Sequence, residues 1–279
     1  MSRSITRPSE QTLYVYTVLS RRSGGLSVGI NLNPNNACNW RCVYCQVPDL
    51  VRGAGPVIDI ERLRQELSDV LEDIQSTHFH QSHGLDPRTT PIRDIALAGN
   101  GEPTSTPSFA EAIATIGSIA AEQDLLGRIP LVIITNGSQL QKDEVQRGLA
   151  HWAELGGQIW FKIDRGRSQD LERVNSIHLN PETMIQNLER AARLCPTWIQ
   201  SCFFEMDGAP PDTEEVNAYV NVLKEIQNRE IPIEGVLLYG LDRPSNQPEA
   251  PRLKALPKEW LENLGQRIES LGLVAKIYS

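Results

Sequence analysis

The feature that most constrains this chain is an alternation. Short apolar runs recur along its 279 residues, and between them lie stretches with helical spacing. Residues 27–33 alternate as a first strand and are broken by Pro34, Asn35 and Asn36. Residues 95–98, 131–134, 159–164, 198–204 and 234–239 read as five more strands, with a last one at 273–278. The intervening segments carry helix signals. Asp59 can cap a helix with Leu63, Leu67, Val70 and Ile74 on one face, and Thr106 one bearing Phe109, Ile113 and Ile116. Val145, Leu149 and Trp152 mark a third helix, stopped at Gly156-Gly157. Asn180-Pro181 opens a fourth, Asp212 with Glu215 a fifth, and residues 257–271 form the last. Six βα units in succession imply parallel strands with right-handed crossovers. Six are too few to close an eight-stranded barrel. The predicted fold class is therefore α/β, a partial, TIM-like (βα)6 barrel open on one side. Residues 1–25 are polar and read as an N-terminal extension, and residues 26–279 as one core domain with a C-terminal helix and strand.

The chain has five cysteines, and Cys38, Cys42 and Cys45 fall within eight positions. They follow the first predicted strand, on a loop at its C-terminal end, where barrel enzymes place their chemistry. Three thiolates on one tight loop can bind three irons of a [4Fe–4S] cube and leave the fourth iron open to a non-protein ligand. A structural zinc site is the alternative, but such sites pair their ligands as CxxC with a second CxxC or HxxxH, and no second cysteine pair exists. A disulfide reading is poorer, since three close cysteines cannot pair evenly and the N-terminus lacks an apolar signal region.

The CxxxCxxC spacing, with Tyr44 before its last cysteine, resembles the signature of the radical S-adenosylmethionine (SAM) enzymes. Gly99-Asn100-Gly101-Glu102-Pro103-Thr104 resembles that superfamily's GGEP motif, with Asn100 in the place of the second glycine. Together with Cys-Val-Tyr-Cys-Gln it is most similar to the branch named by analogy to tRNA wyosine (imidazoguanosine) synthases. The match covers roughly residues 26–240. The resemblance implies a radical SAM barrel in which the unique iron is chelated by the amino and carboxylate groups of SAM. It implies reductive cleavage of SAM to methionine and a 5′-deoxyadenosyl radical that abstracts hydrogen from substrate. A reducing partner such as flavodoxin or ferredoxin follows from that chemistry.

On this reading Cys38, Cys42 and Cys45 ligate iron, and Tyr44 offers a ring beside the adenine or simply packs in the core. Gly99, Asn100, Gly101 and Glu102 present acceptors to the SAM ammonium, which has only donors. Asn136, at the end of the third strand, is placed for the ribose or the methionine carboxylate. Lys162 shares a face with Asp164 by alternation, so it meets an anion such as Asp164 or the SAM carboxylate, or else lies near the rim. Gln200 and Ser201 are candidates for ribose contacts. Cys195 and Cys202 read as small buried hydrophobes. The loop at 240–257, with Asp242 and Arg243, reads as the substrate-facing element.

Composition bounds the rest. A 40% hydrophobic, 22% charged chain without a long apolar run reads as a soluble protein of the cytoplasm, not of a membrane. The net charge of −8 gives no general support to a tRNA substrate. Arg21-Arg22, Arg52, Arg165-Gly166-Arg167 and Arg243 read as solvated charges rather than a phosphate track. His78, His80 and His83 read as solvated loop residues rather than a metal tract. Alternatives within the class are a peptide- or small-molecule-modifying enzyme and a glycyl-radical activase. A non-catalytic iron–sulfur or zinc protein is the alternative from another class, though it has no need of the Gly-Asn-Gly-Glu-Pro turn.

Overall fold

The computed structural model describes residues 3–4, 12–20, 24–86 and 88–278. Arg21, Arg22, Ser23 and Pro87 lie outside the described residues. The seven predicted strands form as β2 (Gly25–Ile30), β3 (Ile92–Leu97), β4 (Leu131–Thr135), β5 (Gly157–Lys162), β6 (Thr197–Cys202), β7 (Ile233–Tyr239) and β8 (Ala275–Tyr278), each parallel to the next. The sheet curls into an open half-barrel, the partial TIM-like barrel that six βα units predict.

One strand departs from that reading. Val15–Ser20 (β1) lies antiparallel to β2 and extends the sheet, where the sequence reads as a polar extension. Arg3–Ser4 pairs with it in turn. Its signal is the β-forming run from Tyr14 to Leu19, masked by polar neighbours. The Tyr16 ring covers Gly29 on β2 so closely that a Cβ there would stand 2.1 Å from the ring.

Helices pack outside the sheet: α1 (Ile60–Gln75), α2 (Thr77–His83), α3 (Phe109–Glu122), α4 (Asp143–Glu154), α5 (Ser168–Asn175), α6 (Pro181–Leu194), α7 (Thr213–Asn228) and α8 (Lys258–Glu269). Asp59, Asn180 and Asp212 cap α1, α6 and α7 as their sequence contexts predict. Ser108, not Thr106, sits at the start of α3; Thr106 instead bonds the Pro56 carbonyl and accepts from the Ser108 N–H. The histidine stretch is the helix α2, capped by Ser76, with Phe79 and His80 buried, so it is neither a loop nor solvated throughout. Strand residues facing the helices, such as Ile133, Phe161, Ile199 and Leu238, join helical residues such as Leu67, Ile116, Leu149 and Leu223 in the main core. The opposite faces line the half-barrel, with Ala96, Val132, Trp160 and Leu237 forming its floor. No helix among the described residues is long and apolar enough to cross a membrane.

Candidate active site

The half-barrel encloses a cavity of about 720 Å³ at the C-terminal ends of its strands. Cys38, Cys42 and Cys45 all line it, half-buried and with free thiols. Their loop is clasped at its base, where Ala37–Cys38 pairs with Val51–Arg52. On one side it docks on the end of α5: the Arg41 and Val43 N–H groups donate to the Asn175 and Val174 carbonyls, at 3.1 and 2.8 Å. On the other side residues 245–249 strap it down. Ser245 Oγ donates to the Val43 carbonyl at 2.7 Å, the Asn246 N–H to the Cys45 carbonyl at 2.9 Å, and Gln247 Nε2 to the Val47 carbonyl at 2.9 Å. Arg41 closes the strap with two bonds to Glu249, at 2.9 and 2.7 Å. The loop at 240–257 therefore serves the cysteine loop as well as the cavity, which Asp242 and Arg243 line.

Burial pushes the Cys38 thiol up to about 12, the Cys42 thiol to about 11, and the Cys45 thiol above its ordinary value. Thiols so buried ionise when a positive metal centre meets them. All three already meet N–H groups: Cys38 Sγ the Trp40 backbone at 3.4 Å, Cys42 Sγ the Asn175 Nδ2 at 3.2 Å, and Cys45 the Gln46 and Val47 backbone. No three His, Cys, Asp or Glu side chains among the described residues are grouped to hold a single metal ion. A cube takes each thiolate on a different iron, so its ligands surround a cluster and do not converge on one point. Three cysteines lining one cavity fit such a cluster.

The glycine turn packs against this loop. A Cβ on Gly101 would stand 2.0 Å from the Ala37 carbonyl, and one on Gly99 2.3 Å from Asn31 Oδ1. Both glycines thus permit close approach to the chain's own backbone and side chains. Asn100 is tied the same way, its N–H to Asn31 Oδ1 at 2.9 Å and its side chain to Asn36 Oδ1 at 2.7 Å. Glu102 is buried, and its carboxylate accepts four hydrogen bonds from the chain. Oε1 accepts from the Thr104 N–H (3.1 Å), Thr104 Oγ1 (2.6 Å) and Thr135 Oγ1 (2.6 Å), and Oε2 from the Asn136 N–H (2.7 Å). Burial raises its pKa against the pull of those four donors. The Glu102 side chain therefore bolts the turn to the end of β4. Asn136 extends the bolt, donating to Asn39 Oδ1 at 2.9 Å in the cysteine loop.

On the far wall Lys162 enters the cavity and donates to the Tyr44 hydroxyl at 2.6 Å. That hydroxyl donates to the fully buried Asp164, which stands 3.8 Å from Lys162 Nζ. Burial by itself lowers the Lys162 pKa, but Asp164 and the neighbouring thiols outweigh it and hold the pKa above its ordinary value. Gln200 and Cys202 line the cavity, whereas Ser201 points the other way. Its hydroxyl donates to the Ile163 carbonyl at 2.6 Å and meets the Tyr219 hydroxyl, so strand alternation takes it off the cavity wall. Cys195 is buried against the Gly157 carbonyl. Arg165 is a further correction: it is 1% exposed, bonded to Glu215 and to the Asp164 and Cys202 carbonyls, and stacked over Phe203.

Asn39, Asn175, Tyr16 and the strap residues escape sequence reasoning, because a lone Asn, Ser or Gln carries no periodic signal. Only the Asn-rich run 31–36 hints at the side chains that bind the glycine turn.

The profile of the radical SAM superfamily matches residues 32–219. The chain belongs to the radical SAM superfamily. It is accordingly an enzyme. Two UPF0026 proteins of Helicobacter pylori are similar to it: strain J99 at 28% identity over 56% of this chain and 47% of its own length, strain 26695 at 26% over 85% and 68%. The chain thus spans less than half the length of the first. Among solved structures, a radical SAM methyltransferase from Sphaerobacter thermophilus aligns with a TM-score of 0.62 at 14% identity, covering 95% of this chain and 69% of that one. TYW1 with a lysine–pyruvate adduct aligns at 0.56 and 12%, covering 89% and 74%. Streptococcus suis SuiB bound to S-adenosylmethionine aligns at 0.54 and 13%, covering 92% and 48%. At these identities the likeness is one of fold, and the half-barrel is the radical SAM partial barrel.

Proposed function

We propose that Cys38, Cys42 and Cys45 hold a [4Fe–4S] cluster whose fourth iron takes S-adenosylmethionine, and that the chain cleaves it reductively to act on a substrate by hydrogen abstraction. The observation that carries this reading is the shared cavity, lined by all three cysteines and by the whole Gly99–Glu102 turn. When bound, cluster and SAM supply the electron transfer and S–C5′ cleavage that yield methionine and a 5′-deoxyadenosyl radical.

The chain's residues orient and enclose. The Gly99–Gly101 backbone, held against Asn31 and Ala37, forms the wall that faces the SAM ammonium, and Glu102 acts by fixing that wall. Asn136 and Gln200 offer polar contacts to ribose, and Tyr44 a ring edge to adenine. Lys162, held charged by Asp164, faces the SAM carboxylate. Tyr16, Tyr239 and Tyr278 wall the remaining volume, where the substrate sits away from water. A one-electron donor of the flavodoxin or ferredoxin type reduces the cluster from outside.

Anaerobic reconstitution with iron and sulfide, then incubation with SAM and dithionite, tests the proposal. The expected result is 5′-deoxyadenosine from the parent chain and none from Cys38→Ala. Equal yields from the two would sink it.

A further inference from the structure

Asn175 ends α5 and is fully buried. Its side-chain nitrogen donates twice, to Cys42 Sγ at 3.2 Å and to Asp164 Oδ2 at 2.7 Å. Its Oδ1 is buried and accepts nothing among the described residues. An orphaned buried carbonyl is costly, so something must fix the amide this way round. Its two neighbours do so, because the reverse orientation would set Oδ1 against a carboxylate and a sulfur, both acceptors. The backbone is fixed too. The Asn175 carbonyl accepts from Arg41 and the Val174 carbonyl from Val43, so the helix end grips the loop on both sides of Cys42.

We propose that Asn175 is a positioning and tuning residue for the cluster, aimed by Asp164, whose N–H donated to Cys42 Sγ raises the cluster's reduction potential. A hydrogen bond to a ligating sulfur stabilises the more electron-rich, reduced state, and such bonds are among the main protein levers on cluster potential. Among the described residues Cys42 is the one cluster cysteine that receives a side-chain N–H donor. This lever can therefore be removed without altering the loop itself. Asp164 has the partners to hold its position: the Cys202 N–H donates to Oδ1 at 2.9 Å, and Tyr44, braced by Lys162, donates to Oδ2. The inference rests on the [4Fe–4S] reading, so the iron content of the parent chain is measured first. A parent that takes up no cluster sinks the proposed function itself, before any variant is read.

The test compares the whole parent chain with Asn175→Leu, which keeps the volume and loses the donor, and Asn175→Ser, which is smaller and keeps one. Each is reconstituted anaerobically, assayed for iron, and titrated against potential with the reduced cluster followed by electron paramagnetic resonance. The expected result is undiminished iron in both, a midpoint displaced to more negative potential in Asn175→Leu, and a smaller displacement in Asn175→Ser. A fully loaded Asn175→Leu that titrates with the parent overturns the proposal. If Asn175→Leu does not load, Asn175→Ala, which also lacks the donor, decides in its place: a lowered midpoint supports the proposal and an unmoved one overturns it. Loss of iron in both Asn175→Leu and Asn175→Ala also overturns it, by making Asn175 a determinant of loop assembly rather than of potential.

Discussion

The Lys162 ammonium stands 2.6 Å from the Tyr44 hydroxyl and 4.9 Å from the centre of its ring. The same hydroxyl passes its proton toward Asp164, so a cation, a phenol and a carboxylate form one short chain at the cavity wall. Asp164 is fully buried, and Lys162 is the cation that balances it. Removing one partner of a buried pair leaves an uncompensated charge. Lys162→Met should therefore lower stability by about 3 kcal/mol, read as a shift in urea midpoint at unchanged slope. The pH sign follows from the raised Lys162 pKa: the stabilisation is complete below the ordinary value of 10.5 and is lost only as pH rises through the folded value. Parent and variant curves should accordingly stay parallel from pH 7 to pH 9. A gap that closes within that range would show that Asp164 does not depend on Lys162.

Glu102 accepts four hydrogen bonds with two oxygens, and all four donors belong to the chain. Glu102→Gln keeps the shape but turns one acceptor end into a donor, which must face either the Asn136 N–H or the threonine donors. A buried donor left against donors costs about 2–3 kcal/mol. The expected outcome is that loss in unfolding free energy, together with faster amide exchange at Asn136 and Gly137. Unchanged stability with weakened SAM binding would instead make Glu102 a direct ligand contact.

Strand positions were legible because a buried parallel strand must be an apolar run. The pattern predicts strands at 131–134 and 234–239, and they appear as Leu131–Thr135 and Ile233–Tyr239. The three cysteines and the glycine turn were conspicuous because their spacing forms recognisable motifs, and folding brings both to one cavity. Partners distant in sequence were not. Arg165 reads as surface charge until Glu215 and two carbonyls enclose it. Nothing in the sequence around Glu102 announces that Thr104, Thr135 and Asn136 bond its carboxylate. Asn175 lies on a short helix, α5, that no apolar period announces, and its meaning comes only from what folding places beside it.

Adjacent residues on β6 should separate stability from binding. Ser201 faces the core, where its hydroxyl bonds the Ile163 carbonyl and the Tyr219 hydroxyl. Ser201→Ala strands both and should cost about 1–2 kcal/mol in urea unfolding while leaving SAM affinity unchanged. Gln200 lines the cavity, with its Oε1 buried and unbonded among the described residues. Gln200→Leu removes that orphan and should leave stability within about 0.5 kcal/mol. Its effect should fall on SAM affinity, measured by equilibrium dialysis with the reconstituted chain. The reverse pattern would mean that the two side chains exchange faces.

The Arg41–Glu249 pair ties the strap to the cysteine loop across 208 positions of sequence. Both side chains are partly exposed, 32% for Arg41 and 16% for Glu249, so solvent screens them and the bidentate pair contributes about 1 kcal/mol. The Arg41 hydrogen bonds hold the Glu249 pKa below its ordinary 4.5. For a carboxylate depressed in the folded state, the stabilisation is present above the unfolded value and lost as pH falls through the folded one. Glu249→Gln should therefore be less stable than the parent by about 1 kcal/mol at pH 7, and the difference should shrink steadily below pH 4.5. Hydrogen exchange should localise the effect to the amides of residues 41–47 and 245–249, because the strap opens before the barrel does. A difference that persists undiminished at pH 3 would show that Glu249 stabilises through its packing rather than its charge.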